Sequence, residues 1–155
     1  MKVILPGSYD PITLGHLEII KRAASEYPEV YVVIFINPDK KYFFSEAERL
    51  EMLRAATADI RGVTVDFSSG LVIDYMREKG IERIIKGYRN EIDLESERGQ
   101  AEYNLSRGGY ATELYKSSPD FENISSTRAR ERIISGGELF GILPEAVIRI
   151  IKKRK

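Results

Sequence analysis

The chain has no cysteine and a single histidine among its 155 residues. The first absence excludes a disulfide framework, thiolate catalysis and cysteine-based metal sites, without fixing the compartment. The second excludes a paired-histidine zinc site. There is no excess of either charge: Lys and Arg total 24, as do Asp and Glu. No global field is therefore available to recruit nucleic acid or an acidic membrane. No apolar run approaches the length of a membrane span. Met1 to Leu5 is too short for a secretory segment and leads straight into a turn, so a cytoplasmic protein is the default expectation. G-x-S-x-G, the Walker A motif and a G-x-G-x-x-G after a strand are all missing. Repeats, low-complexity segments and internal boundaries are missing too. The length suits one domain with a sizeable core, spanning residues 1–155. The terminal Lys152-Lys153-Arg154-Lys155 run reads as a solvated tail.

What is present centres on Pro6-Gly7-Ser8-Tyr9-Asp10-Pro11-Ile12-Thr13-Leu14-Gly15-His16. An apolar run, Val3-Ile4-Leu5, precedes it and reads as a buried strand. An amphipathic run from Leu17 to Ala24 follows and reads as a helix. Strand-to-helix turns are where open α/β folds bind phosphates. Gly7 lets a ligand approach the backbone, Ser8 offers a hydroxyl, and Gly15 allows tight packing at the helix start. His16 projects from the first helical turn.

Strand and helix signals then alternate. Tyr31 to Ile36 is a continuous β-branched run, as expected for a strand buried on both faces of a parallel sheet. Ser45-Glu46-Ala47-Glu48 is a capping box for a helix to about Ala58. Val63–Phe67 reads as a strand, Leu71–Lys79 as a helix closed by Gly80, and Arg83–Lys86 as a strand ending at Gly87. Glu91–Arg107 reads as a polar helix stopping at Gly108-Gly109, and Thr112–Lys116 as a fifth strand. Ser125 or Ser126 caps another helix ending at Gly136-Gly137. Pro144 starts a last helix with Val147, Ile148 and Ile151 on one face. This alternation predicts an α/β fold: a doubly wound, five-stranded parallel sheet with helices on both faces. Right-handed crossovers put every strand C-terminus on one edge. Ser8, 37–41, 68–72, 86–89 and 117–127 would meet there.

The polar groups on that edge are mostly cations and hydroxyls: Ser8, His16, Lys40, Lys86, Arg89, Ser125, Ser126, Thr127 and Arg130, with Glu97. They suit a phosphate-handling site built from turn backbone, helix N-termini, Lys and Arg. Asn123 to Arg130 opens a helix whose N-terminus offers free N–H groups, with Arg130 one turn in. Lys40 and Lys41 follow Asn37-Pro38-Asp39 on the loop after the second strand, where either can equally be a surface lysine. Asp93 and Glu97, four apart, form a solvated stripe, orient Arg89, or accept from a base amine.

These stretches resemble the bacterial phosphopantetheine adenylyltransferases, nucleotidyltransferases marked by an (H/T)-x-G-H motif. Thr13 to His16 and Ile124-Ser125-Ser126-Thr127-x-x-Arg130 match the superfamily. Lys86-Gly87-Tyr88-Arg89 with Asp93-Leu94-Glu95-Ser96-Glu97 resembles R-G-(L/Y)-R…D-F-E-x-E, which is more specific to the pantetheine branch. The match keeps family order over nearly the whole chain. It implies a Rossmann-like fold and attack of the 4′-phosphopantetheine phosphate on the α-phosphorus of ATP. The products are dephospho-CoA, in coenzyme A biosynthesis, and pyrophosphate. A phosphate nucleophile is already ionised, so positioning and charge stabilisation suffice.

The resemblance implies that His16 stabilises the α-phosphate, that Lys40 neutralises the reacting phosphates and that Ser8 contacts both substrates. Lys86 and Val72 would bind the acceptor. Tyr9, Gly87, Tyr88, Arg89 and Glu97 would hold the nucleotide. Phe121, Glu122, Asn123 and Ile124 would wrap it together with Ser125, Ser126, Thr127 and Arg130. Magnesium is expected on the phosphates rather than in a carboxylate cage, and a homohexamer is expected. Ser8 stands where Thr is common, Lys86 where Arg is usual, and Leu94 where Phe is usual. Lys86 keeps charge but loses the bidentate fork. Ser106 to Lys116 also differs from the common family segment. The competing readings are a nicotinate or nicotinamide mononucleotide adenylyltransferase, a glycerol-phosphate cytidylyltransferase, and a non-catalytic nucleotide-binding module.

Overall fold

A computed structural model describes residues 1–154. The strands are β1 (Lys2–Gly7), β2 (Glu29–Phe35), β3 (Val63–Ser68), β4 (Arg83–Tyr88) and β5 (Ala111–Lys116). The helices are α1 (Leu14–Glu26), α2 (Glu46–Thr57), α3 (Val72–Lys79), α4 (Glu91–Gly108), α5 (Ser126–Ser135) and α6 (Glu145–Lys153). The strands form one sheet in the order β3-β2-β1-β4-β5, with every pairing parallel. This is the expected α/β architecture.

The two-residue period of a strand divides the core in two. Val3 and Leu5 of β1, with Val32, Ile34 and Ile85, face Ile20 and Ala23 of α1, Met52 and Leu53 of α2, and Val147 and Ile151 of α6. Ile4, Val33 and Ile84 face the other way, toward Tyr75 and Met76 of α3. Both faces of the central strands are buried, which is why β2 is apolar throughout Val30–Phe35, whereas the edge strands β3 and β5 carry polar residues such as Thr64, Asp66, Thr112 and Glu113.

Several boundaries move. Helix α1 begins at Leu14, three residues before the apolar run, because Thr13 caps it: its Oγ1 accepts the His16 N–H at 3.3 Å. Strand β4 does not end at Gly87 but continues through Tyr88, since Gly87 and Tyr88 stay in register with Tyr115 and Lys116 of β5. Ser125, not Ser126, is the α5 cap. Lys152 to Arg154 are exposed, as their composition suggests, but they do not form a free tail. Lys152 and Lys153 complete α6, and Arg154 pairs with Glu48 and Glu51 of α2, each at 2.8 Å. Lys155 lies outside the described residues.

One irregularity shapes the site. β1 and β4 pair over only two positions, Val3 with Arg83 and Ile4 with Ile84. Beyond these the strands part, at the point where the strand order reverses direction. A crevice opens there, at the C-terminal edge, where open α/β sheets bind ligands.

Candidate active site

The crevice leads into a cleft of about 510 Å³ lined by residues of the β1–α1 turn, the loop after β2, the end of β4 and the start of α5. Ser8, Tyr9, His16, Lys40, Lys86, Gly87, Arg89 and Glu97 contribute to its wall, as do Ile124, Ser125, Ser126, Thr127 and Arg130. The two stretches that dominate the sequence therefore open onto one space. They are also stitched together. Ser126 Oγ donates to the Pro11 carbonyl at 2.8 Å, and Arg130 Nη1 donates to the Asp10 carbonyl at 2.8 Å.

A second cavity of about 190 Å³ lies on the α3 side of the sheet, lined by Phe35, Val72, Ile84, Gln100, Ala101, Asn104 and Thr112. It shares Pro6, Gly7, Ser8, Lys86 and Glu97 with the cleft. Lys86 stands on this common wall. Its Nζ donates to the Pro6 carbonyl at 3.4 Å and pairs with Glu97 at 3.4 Å.

His16 sits in the first turn of α1, half-buried. The Thr13 backbone N–H donates to its Nδ1 at 3.0 Å. A backbone N–H can only donate, so Nδ1 is the acceptor and the ring proton of the neutral form is on Nε2. Burial pushes the imidazole pKa down to about 4, and the positive charges of Lys86 and Arg89 push the same way. At neutral pH His16 is thus an uncharged Nε2–H donor. The Tyr9 ring packs beside it, centroids 5.1 Å apart.

Tyr9 itself has a left-handed backbone, φ 46°, a conformation uncommon outside glycine. Its hydroxyl is committed to the Leu5 carbonyl at 2.9 Å, and burial raises its pKa. The role of Gly7 changes accordingly. A Cβ there would meet the Tyr9 ring at 3.1 Å, so the ring occupies the space beside this glycine. Tight packing at Gly15 is not found: a Cβ would meet only Thr13 Oγ1 at 3.5 Å, and the residue lines the cleft. The glycine that packs against a helix is Gly87, where a Cβ would lie 2.8 Å from Ile19 Cγ1 of α1.

Of the three readings open for Asp93, it is the orienting one that occurs. Its carboxylate accepts from Arg89 Nε at 2.9 Å and from the Arg89 backbone N–H at 3.1 Å. Glu97 holds Lys86. Val72 lines the second cavity, but 68–71 line neither space. Tyr88 also falls outside the cleft wall, because strand alternation turns it to the face opposite Gly87. Phe121, Glu122 and Asn123 form the short turn leading into α5 and do not line the cleft. Lys40 and Lys41 both reach it.

Sequence reading missed three residues that build this site. Thr13 was read only as part of the T-x-G-H motif, and its capping role was hidden because a histidine, not Glu or Gln, completes the box. Asp10 is buried, and its two carboxylate oxygens accept the N–H groups of Phe43 at 2.7 Å and Phe44 at 2.9 Å. Arg49 is buried on α2 and donates to the Ser8 carbonyl at 3.1 Å.

As for metal, no group of three or more His, Asp or Glu side chains that could hold an ion exists among the described residues. The cleft carboxylates Asp10, Asp93 and Glu97 are each engaged by protein donors.

Residues 4–132 match the cytidylyltransferase-like family model. The chain is 38% identical to a phosphopantetheine adenylyltransferase of Corynebacterium glutamicum (strain R), over 99% of this chain and 97% of that one. It is 39% identical to the enzyme of the same name from Corynebacterium efficiens, over 99% of this chain and 98% of that one. With its parallel sheet, its crevice at the reversal point and this full-length similarity, the chain belongs to the phosphopantetheine adenylyltransferases of the cytidylyltransferase-like family.

Proposed function

We propose that the protein transfers the adenylyl group of ATP to 4′-phosphopantetheine, forming dephospho-CoA and pyrophosphate. The observation that carries this reading is the pair of cavities meeting at one wall of Pro6, Gly7, Ser8, Lys86 and Glu97. ATP occupies the larger cleft and the pantetheine arm the smaller cavity, so that their phosphates meet beside Ser8 and Lys86.

The acceptor phosphate is largely ionised at neutral pH and needs no general base. Its oxygen bonds to the α-phosphorus as the bond to the bridging oxygen breaks, and the electron pair leaves with pyrophosphate. His16 Nε2–H donates to charge developing on the α-phosphate. Being neutral, it can donate without first taking up a proton. The free N–H groups of α5, with Arg130, hold the leaving phosphates. Lys40 and Lys86 neutralise charge around the reacting centre. Magnesium, carried on the ATP phosphates, would supply further charge neutralisation. The protein would assemble as a homohexamer, the expectation carried by its motif resemblance.

Incubation with ATP, magnesium and a panel of acceptors tests this. Pyrophosphate release with 4′-phosphopantetheine, at rates well above those with nicotinamide mononucleotide, nicotinate mononucleotide or glycerol phosphate, is expected. Release with one of the others alone would assign a different acceptor, and none at all would leave a nucleotide-binding module.

A further inference from the structure

Arg49 is among the largest fully buried side chains of the described residues, with 1% of its surface exposed. None of the ion pairs among the described residues involves it. Burying a guanidinium without a carboxylate is unfavourable unless its donors are satisfied. Here two of its N–H groups are bonded, both to backbone carbonyls. Nε donates to the Phe44 carbonyl at 3.2 Å and Nη1 to the Ser8 carbonyl at 3.1 Å. The flat face of the guanidinium stacks on Tyr42, 4.0 Å from the ring centroid. The same ring carries the Lys40 ammonium, 5.5 Å from its centroid. The Tyr42 hydroxyl in turn accepts the Asn37 N–H at 2.9 Å and closes the loop that bears Lys40.

One side chain thus joins the turn carrying Ser8 to the loop carrying Lys40. Asp10 joins the same two segments from the other side, through the N–H groups of Phe43 and Phe44. Lys40 is exposed and long, and without this support its ammonium would sample many positions. We propose that Arg49 is a positioning residue for adenylyl transfer. By gripping the Ser8 and Phe44 carbonyls and backing Tyr42, it sets the distance between the Ser8 hydroxyl and the Lys40 ammonium across the cleft. The inference rests on the transfer reaction proposed above. A lysine cannot replace this residue. It keeps the charge, but lacks both the planar fork that reaches two carbonyls and the flat face that stacks.

The test is Arg49→Lys, assayed by pyrophosphate release. The wild-type rate is measured first: if it is absent with every acceptor, the functional reading fails. With an active wild type, Arg49→Lys should lower kcat by about tenfold to a hundredfold, as small displacements of catalytic groups do, while KM for ATP and for the acceptor stays within about threefold. The deciding measurement is the double variant. In a Lys40→Ala background, Arg49→Lys should cost less than about threefold more, since the group it positions is gone. Tyr42→Leu, run alongside, removes from a half-buried site the ring that both cations approach. It should give the same kcat loss and the same non-additivity, and it decides the matter if Arg49→Lys shows no cooperative melting. Unchanged kcat, a rise in both KM values that follows lowered stability, or full additivity with Lys40→Ala would each overturn the proposal.

Discussion

At the scale of single residues, the chemistry depends on a histidine that stays neutral. Because the chain has one histidine, its ring protons give one unambiguous NMR signal pair. Their titration should show an inflection near 4 and none between 5.5 and 7.5. An inflection near 6.5 would reject the neutral donor. The linkage runs with this shift: between about 4 and 6.5 the unfolded chain binds a proton that the folded chain does not. Stability should therefore fall as pH drops through that window, by on the order of 3 kcal/mol from this group. His16→Ala should remove that component and lower kcat by at least about a hundredfold, with little change in ATP dissociation constant, the range for losing one transition-state donor. An unchanged kcat would remove His16 from the reaction. Lys86→Ala should raise KM for the acceptor more than KM for ATP, because Lys86 stands on the wall of the second cavity; an effect confined to ATP would move it to the other subsite. His16, Lys86 and Arg130 were legible in the sequence because type and spacing mark them. Arg49 and Asp10 were not, since a charged residue reads as surface until the fold shows it buried against backbone.

At the scale of elements, the sequence conveyed number, order and type well, because the central strands carry apolar runs and the helices before α6 each start at a side-chain cap or stop at a glycine. It conveyed interruptions poorly. The parting of β1 from β4 after two paired positions has no local signature, and yet it creates the crevice. Gly87 shows the same limit. It reads as the end of a strand, but it lies within β4, where α1 comes close enough for Ile19 to exclude a Cβ. Gly87→Ala should force α1 off the sheet. Overpacking of this kind costs about 1–3 kcal/mol, a fall in Tm of several degrees for a chain of this size. It should also weaken ATP binding, since α1 carries His16 and β4 leads into Arg89. A Tm equal to wild type would mean that Ile19 moves aside without strain.

At the scale of the whole molecule, α4 is the element the single chain does not explain. It runs for 18 residues with Leu94 as its only buried residue. Such a helix lacks the apolar stripe that normally holds a helix on its own core. Its apolar side chains point outward instead: Ile92 is 82% exposed, and Tyr103 and Leu105 are more than half exposed. Ile92 and Tyr103 are eleven residues apart, close to three full turns, and so share one face. Contact with further copies of the chain would cover that face, consistent with the proposed homohexamer. The pattern marks a face that a partner would cover, but not a number of copies, because symmetry is set by surfaces distant in sequence. Sedimentation velocity should give a species of six chains, and Ile92→Asp should shift it to smaller species by placing a charge in a covered apolar contact. Because Ile92 lies outside both cavities, the dissociated chains should retain ATP binding. A wild-type chain that sediments alone, or an Ile92→Asp chain that stays assembled, would mean that α4 is stable without a partner on this face.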